Sequence, residues 1–220
     1  MNYQHRFMDG TATDLPLGKI VCVGRNYADH AAELNNPIPT VPMLFIKPAS
    51  SVVPMAEPFS IPADEGRVHF ETEMSILIGS RLRKASESEA AQAIAGIGLA
   101  LDLTLRDLQD DLKRQGHPWE KAKGFDGACP LSDFVAPDAV SSLQDVQIRL
   151  RVNGETRQDG NSRFMLNPVL PLLSYISQYF TLEPGDVVLT GTPAGVGPIQ
   201  SGDQLEVELV GLLQVTCAVL

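Results

Sequence analysis

Apolar residues in this chain alternate with polar or small ones over many short stretches and recur at helical spacing over only a few, a pattern of strands joined by occasional helices. Lys19 to Gly24 (K-I-V-C-V-G) predicts a short buried strand, and Met43 to Ile46 a second that stops at Lys47 and Pro48. The strongest strand signal runs from Val68 to Gly79, and Gly96 to Leu105 alternates as tightly. Strands also follow from Val187 to Thr190, Gln204 to Leu209 and Leu212 to Val219, while Asn153-Gly154 marks a hairpin after Val146. Helical turns are expected over Tyr27 to Leu34, ending before Asn35, Asn36 and Pro37. Further helices are expected over Ser86 to Ala95, with Ser86 and Glu89 as a capping box, over Arg106 to Gln115, and over Pro168 to Tyr179. Without regular βαβ alternation, the order predicts an α+β fold that is mainly β.

Period two puts Val68, Phe70, Thr72, Met74, Ile76 and Ile78 on one face of the strongest strand, which is core. Glu71 and Glu73 share the other face, their Cα atoms about 6.5 to 7 Å apart. Two like charges so placed repel, and a hard divalent cation such as Mg2+, Mn2+ or Ca2+ would relieve them. The plainer alternative is a solvated polar face of an edge strand. Asp102 weighs against it. Leucines fill the odd positions from Leu99 to Leu105, and Gly98, Ala100, Asp102 and Thr104 form a small-residue face between them. A carboxylate in such a run is expensive to desolvate unless it meets a cation or hydrogen bonds. A buried Asp102 capping the helix that starts near Arg106 is the alternative there.

His30 and Glu33, three residues apart on a helical turn, can share a face, with the carboxylate raising the basicity of the imidazole. Residues 25–42, with Asn35-Asn36-Pro37 inside them, suit a mobile lid. Lys47 and Lys123 lie beside apolar or aromatic residues, where an ammonium can hold a substrate carboxylate or a developing enolate. The loop from Thr190 to Pro198 offers hydroxyls and bare N–H groups for an anion, with a tight turn as the ordinary reading. It lacks the Lys-Ser/Thr ending of a phosphate-binding P-loop.

The 220 residues suit one domain, with an N-terminal segment over 1–17. Hydrophobic residues at 44% provide a sizeable core. With 17 Lys+Arg against 27 Asp+Glu, the formal charge of -10 argues against nucleic acid or anionic lipid as partner. No apolar stretch approaches the ~18 residues of a membrane span, and Met1 to Thr13 lack a secretory signal's apolar core. Cys22, Cys129 and Cys217, an odd number without a C-x-x-C, read as reduced, buried thiols of a cytoplasmic protein.

Six blocks, in order along nearly the whole chain, resemble the fumarylacetoacetate hydrolase family, in particular its acylpyruvase and oxaloacetate decarboxylase branch. They are V-G-R-N-Y-A-D-H-A-A-E from Val23, L-F-I-K-P from Leu44, H-F-E-T-E from His69, L-A-L-D-L-T-L-R-D from Leu99, P-W-E-K-A-K-G-F-D from Pro118, and L-E-P-G-D-V-V-L-T-G-T-P-A-G-V-G-P from Leu182. The resemblance implies a mixed β-sandwich roll, usually a homodimer, with Mg2+ or Mn2+ held by Glu71, Glu73 and Asp102. It implies a water-activating dyad of His30 and Glu33, Lys123 helping to stabilise an enolate, and substrate contacts from Arg25, Lys47, Arg106, Gln109 and Thr192. Two acids of the family's namesake have no counterpart here: one aligns near Val23, and the other is absent between Gly191 and Gly197. Glu33 is therefore the partner left for His30. Asn161 to Asn167 also departs from the family wording.

The expected activity is that of a metal-dependent hydrolase or lyase on a small 2-oxo acid, through acylpyruvate cleavage or oxaloacetate decarboxylation. Keto-enol tautomerisation on the same site is the alternative. A non-catalytic protein that binds an anion and a structural cation is the rival from another class.

Overall fold

The computed structural model describes residues 3–33 and 37–220. Strand β1 (Ile20–Gly24) is followed by helix α1 (Ala28–Glu33); the expected continuation of α1 to Leu34, its Asn35-Asn36 stop and the middle of the suggested lid lie outside the described residues. Strands β2 (Met43–Lys47) and β3 (Val52–Pro54) come next. The stretch expected as one strand over 68–79 is two, β4 (Val68–Phe70) and β5 (Thr72–Ile78). Helix α2 (Glu87–Ala93) has the predicted capping box, Ser86 Oγ accepting from the Glu89 N–H and the Glu89 carboxylate accepting from the Ser86 N–H. It ends two residues early because Ile94 pairs with Ile78, and the chain from there is again two strands, β6 (Ile94–Leu101) and β7 (Thr104–Leu105).

Helix α3 (Arg106–Gln115) closes on Gly116 in the left-handed region, φ 68°. A short helix not read from the sequence, α4 (Glu120–Lys123), precedes strand β8 (Cys129–Val135). Strands β9 (Gln147–Val152) and β10 (Glu155–Asn161) form the predicted hairpin, with Asn153 and Gly154 both at positive φ. The chain ends with α5 (Val169–Tyr179), β11 (Val187–Leu189), β12 (Gly197–Ile199), β13 (Gln204–Leu209) and β14 (Leu213–Ala218).

These strands form a mixed seven-stranded sheet, order β2-β1-β11-β5-β6-β8-β3, a four-stranded sheet β10-β9-β13-β14, and a three-stranded sheet β12-β4-β7. The larger apolar core takes Met74, Ile76 and Ile78 from β5, with Ile148, Leu150 and Val207 from the four-stranded sheet. On the opposite face Ile20, Cys22, Leu77 and Phe134 pack under Phe7, Leu15 and Leu17 of the N-terminal segment. Strand β5 is therefore interior, flanked by β11 and β6 and buried at every residue, which overturns the edge-strand alternative for Glu73. Among the described residues no helix is long and apolar enough to cross a membrane, and the three cysteines are free and buried.

Gln158 stitches the sheets together. Its Oε1 accepts from the Thr72 N–H at 3.0 Å, and its Nε2 donates to Thr192 Oγ1 at 2.7 Å and to the Pro193 carbonyl at 2.8 Å, all in a fully buried setting. Replacing Gln158 by Leu takes the partner from the Thr72 N–H and the Pro193 carbonyl, each worth about 1 to 3 kcal/mol when left unpaired, while the Thr192 hydroxyl keeps its bond to the Thr72 carbonyl at 2.9 Å. We expect Gln158→Leu to lower the unfolding free energy in urea by about 2 kcal/mol or more; a loss below about 1 kcal/mol would show that the stitch is dispensable.

Candidate active site

The break between β4 and β5 lies directly across from the break between β6 and β7. Thr72 pairs with Leu101 and Val68 with Leu105, so one antiparallel register holds on both sides of the interruption. At the break the Asp102 N–H donates to the Glu71 carbonyl at 2.8 Å, and Leu103 is drawn away, its N–H to Ala128 O and its carbonyl to Lys47. Residues directly opposite in such a ladder share a face. The face of Glu71, Glu73, Ser75 and Leu77 is thus the face of Asp102, Ala100, Gly98 and Gly96, and the small residues on β6 leave room beside the acids. One oxygen from each of Glu71, Glu73 and Asp102 lies within 4.8 Å of the others, and all three residues are buried.

Cations surround this group. Lys123 Nζ donates to Glu71 Oε2 at 2.8 Å, Asp102 Oδ2 at 2.7 Å and Thr104 Oγ1 at 2.7 Å. Arg106 donates to Glu71 Oε1 at 2.5 Å, to Gln109 Oε1 at 2.7 Å and to His69 Nδ1 at 3.4 Å. Burial alone would raise the Glu71 pKa, but Lys123 and Arg106 outweigh it and hold the carboxyl well below the usual range. Glu73 differs: burial, then the charges of Asp102 and Glu71, push its pKa well up, although the Gly191 N–H donates to it at 2.5 Å. Burial works against the Lys123 ammonium, yet Asp102 and Glu71 keep its pKa raised. Asp102 does not cap α3, whose N-cap is Leu105 without a side-chain bond. Its Oδ1 lies 2.7 Å from Lys47 Nζ but makes no aligned hydrogen bond. An all-oxygen donor set with a crowded Glu73 and an unsatisfied Asp102 oxygen fits a hard divalent ion.

Lys47 sits behind the site. Fully buried, its ammonium donates to the carbonyls of Leu103, Lys123 and Ala128 and lies outside the cleft lining. The structure brings Arg25, His30, Arg106, Gln109, Lys123 and Thr192 together with Glu71 and Glu73 around one cleft. His30 is 4% exposed, and its Nδ1 faces Glu33 Oε2 at 3.5 Å. Burial lowers its pKa, with Glu71 and Glu33 opposing, which favours the neutral imidazole at pH 7; at that separation Nδ1 makes no aligned hydrogen bond. The bare N–H groups of the glycine-rich loop serve the protein's own acids: Gly191 donates to Glu73, and Gly195 to both oxygens of Glu33 at 3.1 and 3.2 Å. A Cβ on Gly195, at φ +99°, would lie 2.0 Å from the Arg157 carbonyl, so the loop needs glycine there.

Several contributors have no sequence signal of their own. Asn26 clamps the chain ahead of α1 to the unusual 161–167 stretch, its Oδ1 accepting from the Asn167 N–H at 2.8 Å while its Nδ2 donates to Thr190 O at 2.8 Å. Phe45, Lys113 and Trp119 also line the cleft. Trp119 is visible in its block only as an apolar residue, and Lys113 reads as an ordinary solvated lysine of a polar helix.

Residues 19–220 match the sequence model of the family described as fumarylacetoacetate (FAA) hydrolase C-terminal. The chain belongs to the fumarylacetoacetate hydrolase family. An oxaloacetate tautomerase of Escherichia coli strain K12 is 50% identical over 210 residues, 95% of this chain and 96% of that protein. A fumarylacetoacetate hydrolase family protein from Yersinia pestis CO92 superposes with a TM-score of 0.97 at 50% identity, covering 99% of this chain and 100% of that one. A fumarylpyruvate hydrolase from Pseudomonas aeruginosa, solved with Mn2+ and pyruvate, superposes at 0.92 with 33% identity over 100% of this chain and 96% of that one. The family membership and the mainly-β roll expected from the motifs therefore both hold, and this is a family of enzymes.

Because an ion that binds only the folded state stabilises it, Mg2+ at about a hundred times its dissociation constant should add about 2.7 kcal/mol. Scanning calorimetry should show this as a rise in Tm that vanishes in Glu73→Gln, whose ion-free form stays as stable as the wild type. An unchanged wild-type Tm at saturating Mg2+ and Mn2+ would exclude the acidic trio as a metal centre.

Proposed function

We propose that this protein is a divalent-metal-dependent keto-enol tautomerase of oxaloacetate. The observation that carries the reading is a buried histidine on the same cleft as Glu71 and Glu73, with Asp102 beside them, in a chain 50% identical to an oxaloacetate tautomerase. Glu71, Glu73 and Asp102 would hold Mg2+ or Mn2+, which when bound supplies Lewis acidity to a 2-oxo carboxylate. His30 removes a proton from C3 of the keto acid as the C2–C3 double bond forms and the carbonyl π pair moves onto the C2 oxygen; that oxygen then takes a proton from solvent to give the enol, and the reverse reaction runs through the same steps. Glu33, fixed by the Gly195 N–H, orients the imidazole. Lys123 places positive charge where the carbonyl oxygen becomes negative, and Lys47 and Arg106 hold Asp102 and Glu71 in position.

A second reading has the likeness to the fumarylpyruvate hydrolase in its favour: the same His30 would activate water against an acylpyruvate. Loss of CO2 from oxaloacetate needs no attacking water, so it spares that step. Proton NMR of oxaloacetate, acetylpyruvate and fumarylpyruvate with Mg2+ separates the three outcomes, and we expect enol-keto exchange of oxaloacetate to be the fastest. Dominant acylpyruvate cleavage would replace the first reading by the second.

His30→Gln should lower tautomerisation by about 10² to 10⁴-fold with the fold unchanged. In the wild type, a base whose pKa is lowered from the ordinary histidine value makes kcat/KM rise with pH on the acid side of 6.5 and level off by neutrality. A rate that keeps rising above pH 8 would point to a different base. Chelation should abolish turnover reversibly without altering the far-UV circular dichroism; unfolding on chelation would instead mark a structural cation.

A further inference from the structure

The cleft has a second pole. Arg106, Gln109 and Lys113 follow one another at spacings of three and four on α3, one face of the helix, and all three line the cleft. With a rise of 1.5 Å per residue, that face carries its donors over about 10 Å away from Glu71. Every nitrogen of the Arg106 guanidinium is engaged, with Glu71, Gln109 and His69, so Arg106 is occupied in orienting the acids. Lys113 is placed otherwise. Its side chain is 25% exposed, and its ammonium lies 5.7 Å from the centre of the Trp119 ring. Trp119 packs edge-on against Phe45. The ion pair recorded for Lys113 is a loose one with Asp110, 3.6 Å away, whose own side chain is 46% exposed. Burial, then the charge of Arg106, lowers the Lys113 pKa, with Arg25 adding to it and Asp110 and Glu71 opposing. A 2-oxo acid engaged through its C1 and C2 oxygens must also turn any second carboxylate away from Glu71 and Glu73.

We infer that Lys113 receives the distal carboxylate of a dicarboxylic 2-oxo acid, making this cleft selective for dianions over monoanions. The inference rests on the oxaloacetate reading for its substrate class, but its test reads binding and not turnover. Pyruvate is oxaloacetate without the distal carboxylate, and Trp119 is the one tryptophan of the chain, so its fluorescence reports on the cleft directly.

Titrations of the Mg2+-loaded protein with each acid should show Lys113→Met weakening oxaloacetate about tenfold while pyruvate stays within about twofold, with Lys113→Arg recovering most of the difference. Methionine keeps the apolar cover over Trp119, so a purely packing role predicts no loss for either acid. That result, an equal loss for both acids, or no binding of oxaloacetate to the wild type would overturn the inference. Should the wild type prefer oxaloacetate through Lys113 yet fail to tautomerise it, the proposed reaction falls and the anion site stands.

Discussion

Two neighbouring strands interrupted at the same level of one ladder are the constraint on which this structure depends. An unbroken β5-β6 pair would pave its surface with side chains at regular spacing. Here the Leu103 backbone is taken out of the ladder by Ala128 and Lys47, while the register continues beyond it. The interruption opens a corner between the seven-stranded and three-stranded sheets, and Glu71 and Asp102 face each other across it. Carboxylates buried at such a corner would cost several kcal/mol each if unpaired. Lys47, Lys123 and Arg106 offset that cost and give the corner its rigidity.

The division of labour among these cations follows from their surroundings. Lys47 has its hydrogens directed at backbone carbonyls and is sealed from the cleft, so it acts on Asp102 from behind. Lys123 reaches into the cleft, where it contacts two of the acids and the Thr104 hydroxyl. Of the three acids, Glu73 has no cation within ion-pair distance among the described residues and relies on the Gly191 N–H. It is the acid whose charge is least compensated by the protein, and so the one that gains most from an external ion.

The elements of this site that were legible in the sequence were local ones. The E-x-E pair reads as two acids on one face because strand periodicity is short-range, and Asp102 stands out because it interrupts a leucine-rich run. The His30-Glu33 spacing, the capping box at Ser86 and the Asn153-Gly154 hairpin are equally local. What the sequence did not disclose depends on residues far apart in the chain. The break inside 68–79 comes from Gln158 taking the Thr72 N–H and from the diverted Leu103, neither of which leaves a mark on the alternation. Lys47 reads as a substrate contact from its place at the end of an apolar strand and from the family resemblance; only the fold shows three carbonyls converging on it. The glycine-rich loop was rightly read as a donor of N–H groups, but the carboxylates it serves arrive from α1 and β5.

With all three buried carboxylates ionised, as a bound cation would require, Lys47, Lys123 and Arg106 balance their charge. A divalent guest therefore brings a surplus of two positive charges into a region poorly screened by solvent. A dianion cancels that surplus and a monoanion leaves half of it standing. With such an ion in place, valence would weigh on binding through the charge balance of the corner as well as through Lys113.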